Sequence, residues 1–517
     1  MKDTDKFELI KLSSELRNYF KEEIASINDY NIINEKIQNK CGIVKFFPTQ
    51  QNYLDFMTFI NNKEINNICV IRKDYGDFQT PDFLCDTITS YIKSNDVSPT
   101  VLLEPTFGKG NFILSALKSF TKLKKIYGIE IYEPYIWLSK FKILEYYIKT
   151  KKTTRIRIEL FKADIFKFDL ISNIQIDNKI DYLLILGNPP WITNTQLETL
   201  KSKNLPLKNN IKSYKGLDAI TGKSNFDISE YILLKLIKYT SAFSSTIALL
   251  TKDTVIKNLI KNKSALPSNI CNILSLKIDA NKYFNAKVQA SLFFANFKDY
   301  ENNNKSVNTS PKCKVGQLIE DNKHSYEYGW IDNKFVSNIN LYLSNKKYDG
   351  TSSYIWRQGL KHDLTKIMVL EKKDNFFING LKEVLELEDE LIYGFIKSSE
   401  IKTPIIKDSK KYVIVTQKKV GEDTSYLIKY PKLYKYLKSK EYYFNLRKSR
   451  IYNNMPLYSI FGIGDYSFFP YKIAVSGFNK NPLFSLLLPV NNKPLMIDDT
   501  CYYVGINNLS EAIFLLG

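Results

Sequence analysis

Asp181-Tyr-Leu-Leu-Ile-Leu-Gly-Asn-Pro-Pro-Trp191 is an apolar, branched run that ends abruptly in an asparagine, two prolines and an aromatic residue. Consecutive apolar residues without polar alternation describe a parallel strand buried on both faces. Pro189 and Pro190 cannot donate to a strand ladder, so the strand stops at Asn188. Open α/β sheets bind their ligands at the carboxyl ends of such strands. Proline fixes φ, so the Asn188 amide oxygen and the Pro189 carbonyl form a rigid pair of acceptors. Such a pair suits both hydrogens of a planar amino group, and Trp191 offers a face for stacking.

Outward from this run, short apolar or β-branched segments at 101–104, 126–130, 156–163 and 246–250 alternate with helical patterns such as 82–92 and 111–120. That succession predicts a doubly wound parallel sheet. Two further runs, 273–278 and 289–297, are expected to be joined by a loop and to pair antiparallel at the sheet edge. Leu9, Leu12, Leu16 and Phe20 recur at helical spacing, so residues 1–75 read as an N-terminal helical segment. The Asn-, Ser- and Thr-rich residues 301–314 read as a linker. Beyond it, residues 315–517 interleave aromatic and basic side chains in mostly irregular segments.

A length of 517 residues exceeds what one core serves, and 44% hydrophobic residues exclude a disordered chain. A net charge of +20 suits a polyanionic partner. Cysteines at 41, 69, 85, 271, 313 and 501 include no Cys-x-x-Cys pair, which argues against a zinc site or a disulfide framework. With only His324 and His362, histidine triads and multi-histidine metal centres are excluded. No apolar run approaches a membrane span and no signal peptide is evident. A soluble, cytoplasmic, monomeric protein without a metal is therefore expected.

Val101-Leu-Leu-Glu-Pro-Thr-Phe-Gly-Lys-Gly-Asn-Phe112 passes from strand to helix through a turn holding Gly108 and Gly110, where glycine lets the backbone approach a ligand closely. Glu130 ends the next strand, at the distance from which a carboxylate binds ribose hydroxyls. Asp164 ends the third and is placed to receive an adenine amino group. Acids at three successive strand ends, Glu104, Glu130 and Asp164, make a nucleoside site the expectation. Upstream, Thr80 precedes Pro81 at a helix start, a helix end suited to a carboxylate.

These motifs, in the order Thr-Pro, Glu-Pro-x-x-Gly-x-Gly, Asn-Pro-Pro-aromatic and then a C-terminal domain, resemble the gamma-class N6-adenine DNA methyltransferases of type II restriction-modification systems. The resemblance spans residues 78–297. It includes Asn225-Phe-Asp-Ile-Ser-Glu-Tyr231 and Tyr283-Phe-Asn-Ala-Lys-Val288. It implies a Rossmann-like class I methyltransferase domain at 76–300 with a seven-stranded, mainly parallel sheet, and an α+β target recognition domain at 315–517. The implied cofactor is S-adenosyl-L-methionine, met by Thr80, Glu104, Pro105, Gly108, Gly110, Glu130, Ile131, Asp164, Ile165 and Asn188. The implied catalytic residues are Asn188, Pro189, Pro190 and Trp191, with Phe284 packing on a flipped adenine. Trp191 departs from the more usual tyrosine.

The implied partners are double-stranded DNA and a separate restriction endonuclease for the same site. In the second domain, Trp356, Arg357, Gln358, Lys361, Gln417, Lys418, Arg447 and Arg450 are the candidates for DNA contact, because arginine and glutamine pair with base edges while lysine positions phosphates. Two rivals remain at the level of sequence: an RNA or protein-glutamine N-methyltransferase, and a DNA-binding specificity protein with an inactive fold.

Overall fold

The computed structural model describes residues 5–7, 9–61, 78–192, 227–298, 310–319, 324–477 and 482–517. Contacts divide the chain into two units, Met1–Tyr348 and Asp349–Gly517.

The first unit is built on a sheet with ten strands among the described residues: β1 (Val101–Glu104), β2 (Lys125–Glu130), β3 (Arg157–Lys162), β4 (Leu183–Gly187), β5 (Ser245–Lys252), β6 (Ile270–Ile278), β7 (Ala290–Phe297), β8 (Lys312–Gln317), β9 (His324–Ile331) and β10 (Lys334–Val336). Their spatial order is β10-β9-β8-β6-β7-β5-β4-β1-β2-β3. Strands β3, β2, β1, β4 and β5 run parallel, and β7 lies antiparallel between β5 and β6. The sheet therefore grows in opposite directions from β1 and β4, and the crevice at their carboxyl ends is its topological switch point.

Alternate residues of the central strands enter different cores. Helices α1 (Ser14–Asn18), α2 (Tyr30–Cys41) and α3 (Gln50–Asn61) precede the sheet. Leu102, Leu184, Leu186, Ala248 and Leu250 pack with helices α4 (Asp82–Ser94), α5 (Asn111–Ser119) and α6 (Glu133–Lys149). Val101, Leu103, Leu183, Ile185 and Leu249 pack with helices Ile228–Thr240 and Asp253–Lys261. Burial on both faces explains why β1 and β4 carry no polar alternation.

Three features differ from the sequence reading. The expected seven strands correspond to β1–β7, but β8 adds parallel to β6, and β9 and β10 follow antiparallel. The expected linker, whose residues 301–309 lie outside the described residues, therefore ends inside a strand, and the unit boundary falls at Tyr348/Asp349. Lys312-Cys-Lys-Val-Gly-Gln317 looks like a polar connector because part of it faces out, yet Cys313 and Val315 are buried, and Trp330 Nε1 on β9 donates to the Ile260 carbonyl at 2.9 Å.

The N-terminal segment is helical as expected, and its helices, including Tyr30–Cys41 and Gln50–Asn61, belong to the first unit. Phe7 and Phe56 meet Trp137 and Phe141 of α6 at ring separations of 5.0 and 4.5 Å, and residues 42–44 bridge the outer edge of β3 at Ile158. This covers an otherwise unpaired strand edge. Finally, β6 and β7 are joined through a short helix, Ala280–Phe284, where a loop is expected.

The second unit contains a five-stranded and a six-stranded sheet of short strands, with helices Pro431–Ser439, Glu441–Asn445 and Leu509–Leu516. No helix among the described residues is long and apolar enough to cross a membrane.

Candidate active site

The turn after β1 owes its shape to its glycines. Gly108 and Gly110 have φ of 50° and 71°, values that favour glycine. A Cβ on Gly110 would lie 2.7 Å from Ser139 Oγ on α6, and one on Gly108 would lie 2.6 Å from Gln79 Oε1. The Gln79 side chain also accepts from the Lys109 N–H at 2.9 Å.

Glu130 clamps this turn to the next. Its Oε2 accepts from the Gly108 N–H and its Oε1 from those of Ile131 and Tyr132, each at 2.9 Å. Beside it Ile131 is 46% exposed, unusual for an isoleucine at a strand end and suited to a flat apolar ligand face. Asp164 is half-buried and accepts from the Phe166 N–H at 2.9 Å, while Ile165 is buried. Lys235 Nζ donates to the carbonyls of Ile165 and Phe168, both at 2.7 Å, and so shapes this loop without having been singled out in the sequence.

At the switch point three buried side-chain oxygens lack any hydrogen-bond partner: Glu104 Oε2, Thr106 Oγ1 and Asn188 Oδ1. Buried orphan acceptors are costly, and three at the ends of two neighbouring strands mark a place shaped for a ligand. Burial, then the charge of Glu130, pushes the Glu104 carboxyl well above the usual carboxylate range. Gly187 packs closely here, a Cβ on it meeting Glu104 Cγ and Pro105 Cδ at 3.4 Å. Thr106 belongs to the quoted turn, but nothing in the sequence distinguishes it from a solvated threonine.

The Asn188 Nδ2 group donates to the Phe78 carbonyl at 2.8 Å and to Thr80 Oγ1 at 3.2 Å, which leaves Oδ1 as the unused acceptor. Trp191 is buried, its Nε1 donating to the Leu250 carbonyl at 3.3 Å. Its ring meets Phe284 edge to face at 5.1 Å, and Phe78 closes a trio at 5.5 Å from Trp191 and 5.9 Å from Phe284. The sequence reading has a base held between Trp191 and Phe284. In the structure the rings instead touch one another, a tilted and edge-to-face cluster that buries Trp191 and Phe284 together. Phe78 is the third wall that the sequence did not single out. Of the stretch 225–231, Asn225 and Phe226 lie outside the described residues, while Asp227 caps its helix through Ser229 and pairs with Lys252 at 2.7 Å.

No family model matches the chain. It is 37% identical over 446 residues to the type II methyltransferase M.NspV of Nostoc sp. (strain ATCC 29411 / PCC 7524), an alignment covering 86% of this chain and 89% of that protein. The chain belongs to the type II methyltransferases. Among solved structures it is similar to the type IIL restriction-modification enzyme MmeI in complex with DNA, at 12% identity and a TM-score of 0.45, covering 82% of this chain and 59% of that one. It is also similar to a protein of Listeria monocytogenes described as a putative class I S-adenosylmethionine-dependent methyltransferase, at 12% identity and a TM-score of 0.33, covering 59% of this chain and 84% of that one.

In the second unit of this type II methyltransferase, the residues expected at DNA divide into two groups. Trp356 is 44% exposed, Arg357, Gln358, Lys418 and Arg450 are exposed, and Lys361 is half-buried between Asp363 and Asp499. Gln417 and Arg447 do not fit a contact role. Gln417 is fully buried, donating to the Glu422 carbonyl and accepting from the Ile460 N–H at 3.1 Å. Arg447 spends its guanidinium on the carbonyls of Ser459 (2.7 Å), Leu457 (2.6 Å) and Phe444 (3.2 Å), under the Tyr452 ring. Both are internal braces. His362 is likewise buried, its Nδ1 accepting from the Leu364 N–H, and burial pushes it down to about 4.

Proposed function

We propose that this type II methyltransferase is a site-specific DNA adenine-N6 methyltransferase that acts on an adenine flipped out of double-stranded DNA. The observation that carries this reading is the Asn188 amide, whose nitrogen is tied to residues 78–80 and whose oxygen is an unused acceptor at the end of β4.

The residues at the switch point fit S-adenosyl-L-methionine. Glu104, Pro105, Gly108 and Gly110 would line its centre, and Glu130, Ile131, Asp164 and Ile165 its adenosine. Thr80, with the first turn of α4, would hold its carboxylate. When bound, this group supplies a methyl already activated on a sulfonium. The chain then has to orient and polarise the nucleophile. Asn188 Oδ1 and the Pro189 carbonyl accept hydrogen bonds from the two N6–H groups, returning electron density to a nitrogen whose lone pair is otherwise drawn into the ring; as the methyl joins this nitrogen, one of the two protons is released to solvent. Pro189 and Pro190 keep these acceptors fixed. Trp191, Phe284 and Phe78 part to admit the base and stack on it.

In the second unit Trp356, Arg357, Gln358, Lys361, Lys418 and Arg450 supply DNA contacts. Such an enzyme works in the cytoplasm, beside a separate endonuclease directed at the same sequence.

Asn188→Ala is expected to slow methyl transfer by at least about 10²-fold while cofactor and DNA binding change by a few fold. The check is single-turnover transfer to DNA, alongside single-molecule sequencing of DNA from expressing cells to identify base and motif. Full activity in Asn188→Ala, or a modified base other than adenine, overturns the reading.

A further inference from the structure

Asn188 is useful as an acceptor only if its amide faces one way, and a primary amide can rotate to exchange its oxygen and nitrogen. Here the exchange is blocked from residues 78–80. With Nδ2 on the Phe78 carbonyl and Thr80 Oγ1, a rotated amide would set Oδ1 against a carbonyl oxygen that can only accept. Thr80 is itself held in place. It is 6% exposed, its carbonyl accepts from Asn111 Nδ2 at 2.8 Å, and Pro81 follows with φ of −61° before the first turn of α4.

We propose that Thr80 is a positioning residue for methyl transfer, its hydroxyl and the Phe78 carbonyl together fixing the Asn188 amide so that Oδ1 is presented to the substrate amine. This rests on the function proposed above. A hydroxyl has two lone pairs and one proton, so Thr80 can accept from Asn188 while donating to a cofactor carboxylate. The two roles separate experimentally. Loss of a cofactor contact raises the cofactor Kd, whereas a misoriented Asn188 slows transfer even when cofactor and DNA are saturating.

The test is single-turnover methyl transfer to duplex DNA by the full chain at saturating cofactor, with cofactor Kd and melting midpoint measured in parallel. Thr80→Val and the smaller Thr80→Ala are expected to be about tenfold slower than wild type, and Thr80→Ser to stay within about twofold. Thr80→Ala combined with Asn188→Ala should be no slower than Asn188→Ala alone, since the hydroxyl acts through the amide. A wild-type rate in Thr80→Ala with only weaker cofactor binding overturns the proposal, as does a Thr80→Ser variant as slow as Thr80→Ala or a further loss in the double variant. A wild-type protein that transfers no methyl to adenine refutes the function itself, a separate result.

Discussion

Glu104 shows how much one side chain's surroundings matter. Its carboxyl is 2% exposed with Oε2 unpartnered, and burial together with Glu130 favours the neutral acid. A folded-state pKa above the unfolded value means that folding takes up a proton. The stability this group contributes is complete below its ordinary value of 4.5 and is lost as pH rises toward the folded pKa. Glu104→Gln keeps the shape and removes the charge. It is expected to melt above wild type at pH 7, with the gap closing near pH 4, and to bind cofactor within about tenfold of wild type. Thermal melts at the two pH values and a titration check this, and a lower midpoint at pH 7 would mean a charged, paired carboxylate. In the second unit, side-chain chemistry alone could not separate Arg447 from Arg450, since both are arginines among aromatics. Only burial distinguishes them. Arg447→Ala should destabilise its unit by about 2–4 kcal/mol through three abandoned carbonyls. Arg450→Ala should leave stability within about 0.5 kcal/mol but lower the salt dependence of DNA binding by about one ion. Denaturant unfolding and binding at several salt concentrations separate the two.

Elements were legible where one physical signal dominated. Strands β1 and β2 stand within a residue of their expected bounds and β4 stops before Asn188 as expected, because short, largely apolar runs cut off by turn residues suit a doubly buried strand; the glycine turn and tetrad fall at adjacent strand ends as a parallel sheet requires. Strand β8 is hard to read because Lys312 and Lys314 alternate with the buried Cys313 and Val315 across the end of the expected linker, and β9 and β10 fall in the stretch expected to open the second domain. The aromatic trio was only half legible: Trp191 and Phe284 belong to recognisable motifs, whereas Phe78 joins them solely through tertiary packing. The same packing makes the turn before α5 sensitive. Gly110→Ala would carry a left-handed φ and place its methyl 2.9 Å from Ser139 Cβ on α6. The conformation alone costs about 1–2 kcal/mol. The variant should therefore melt several degrees lower and bind cofactor more weakly, while Ser139→Ala in the same chain should recover part of the midpoint but not the conformational share. Calorimetric melts of the two variants provide the measurement.

Among the described residues, each unit holds one lysine buried in its core. Lys140 of α6 donates to the Phe46 carbonyl at 2.6 Å and lies 4.8 Å from the Trp137 ring, tying the N-terminal helices to the sheet; Lys472 donates to the Phe469 carbonyl at 3.0 Å. Burial pushes both down from 10.5 to about 7. Between those values the folded chain holds fewer protons than the unfolded one, so the stability of each unit rises with pH, by up to about 1.4 kcal/mol per pH unit for each lysine. Opposition comes in the first unit from Glu104, whose buried neutral acid loses stability as pH rises, and at higher pH from buried thiols such as Cys501, pushed up to about 11, which stay protonated in the folded chain while their unfolded counterparts ionise. Between about pH 7 and 8.5 Lys472 therefore governs the slope of the second unit, while in the first unit Glu104 offsets part of the slope from Lys140. Calorimetry across this window should show the transition of the second unit moving up with pH and that of the first moving up less. Lys140→Met should flatten the transition of the first unit alone, and Lys472→Met that of the second alone, because each charge is buried in its own core. If either substitution flattened both transitions, the two units would be unfolding as one cooperative body. If neither did, both ammonium groups would be reaching water and would titrate near their ordinary value.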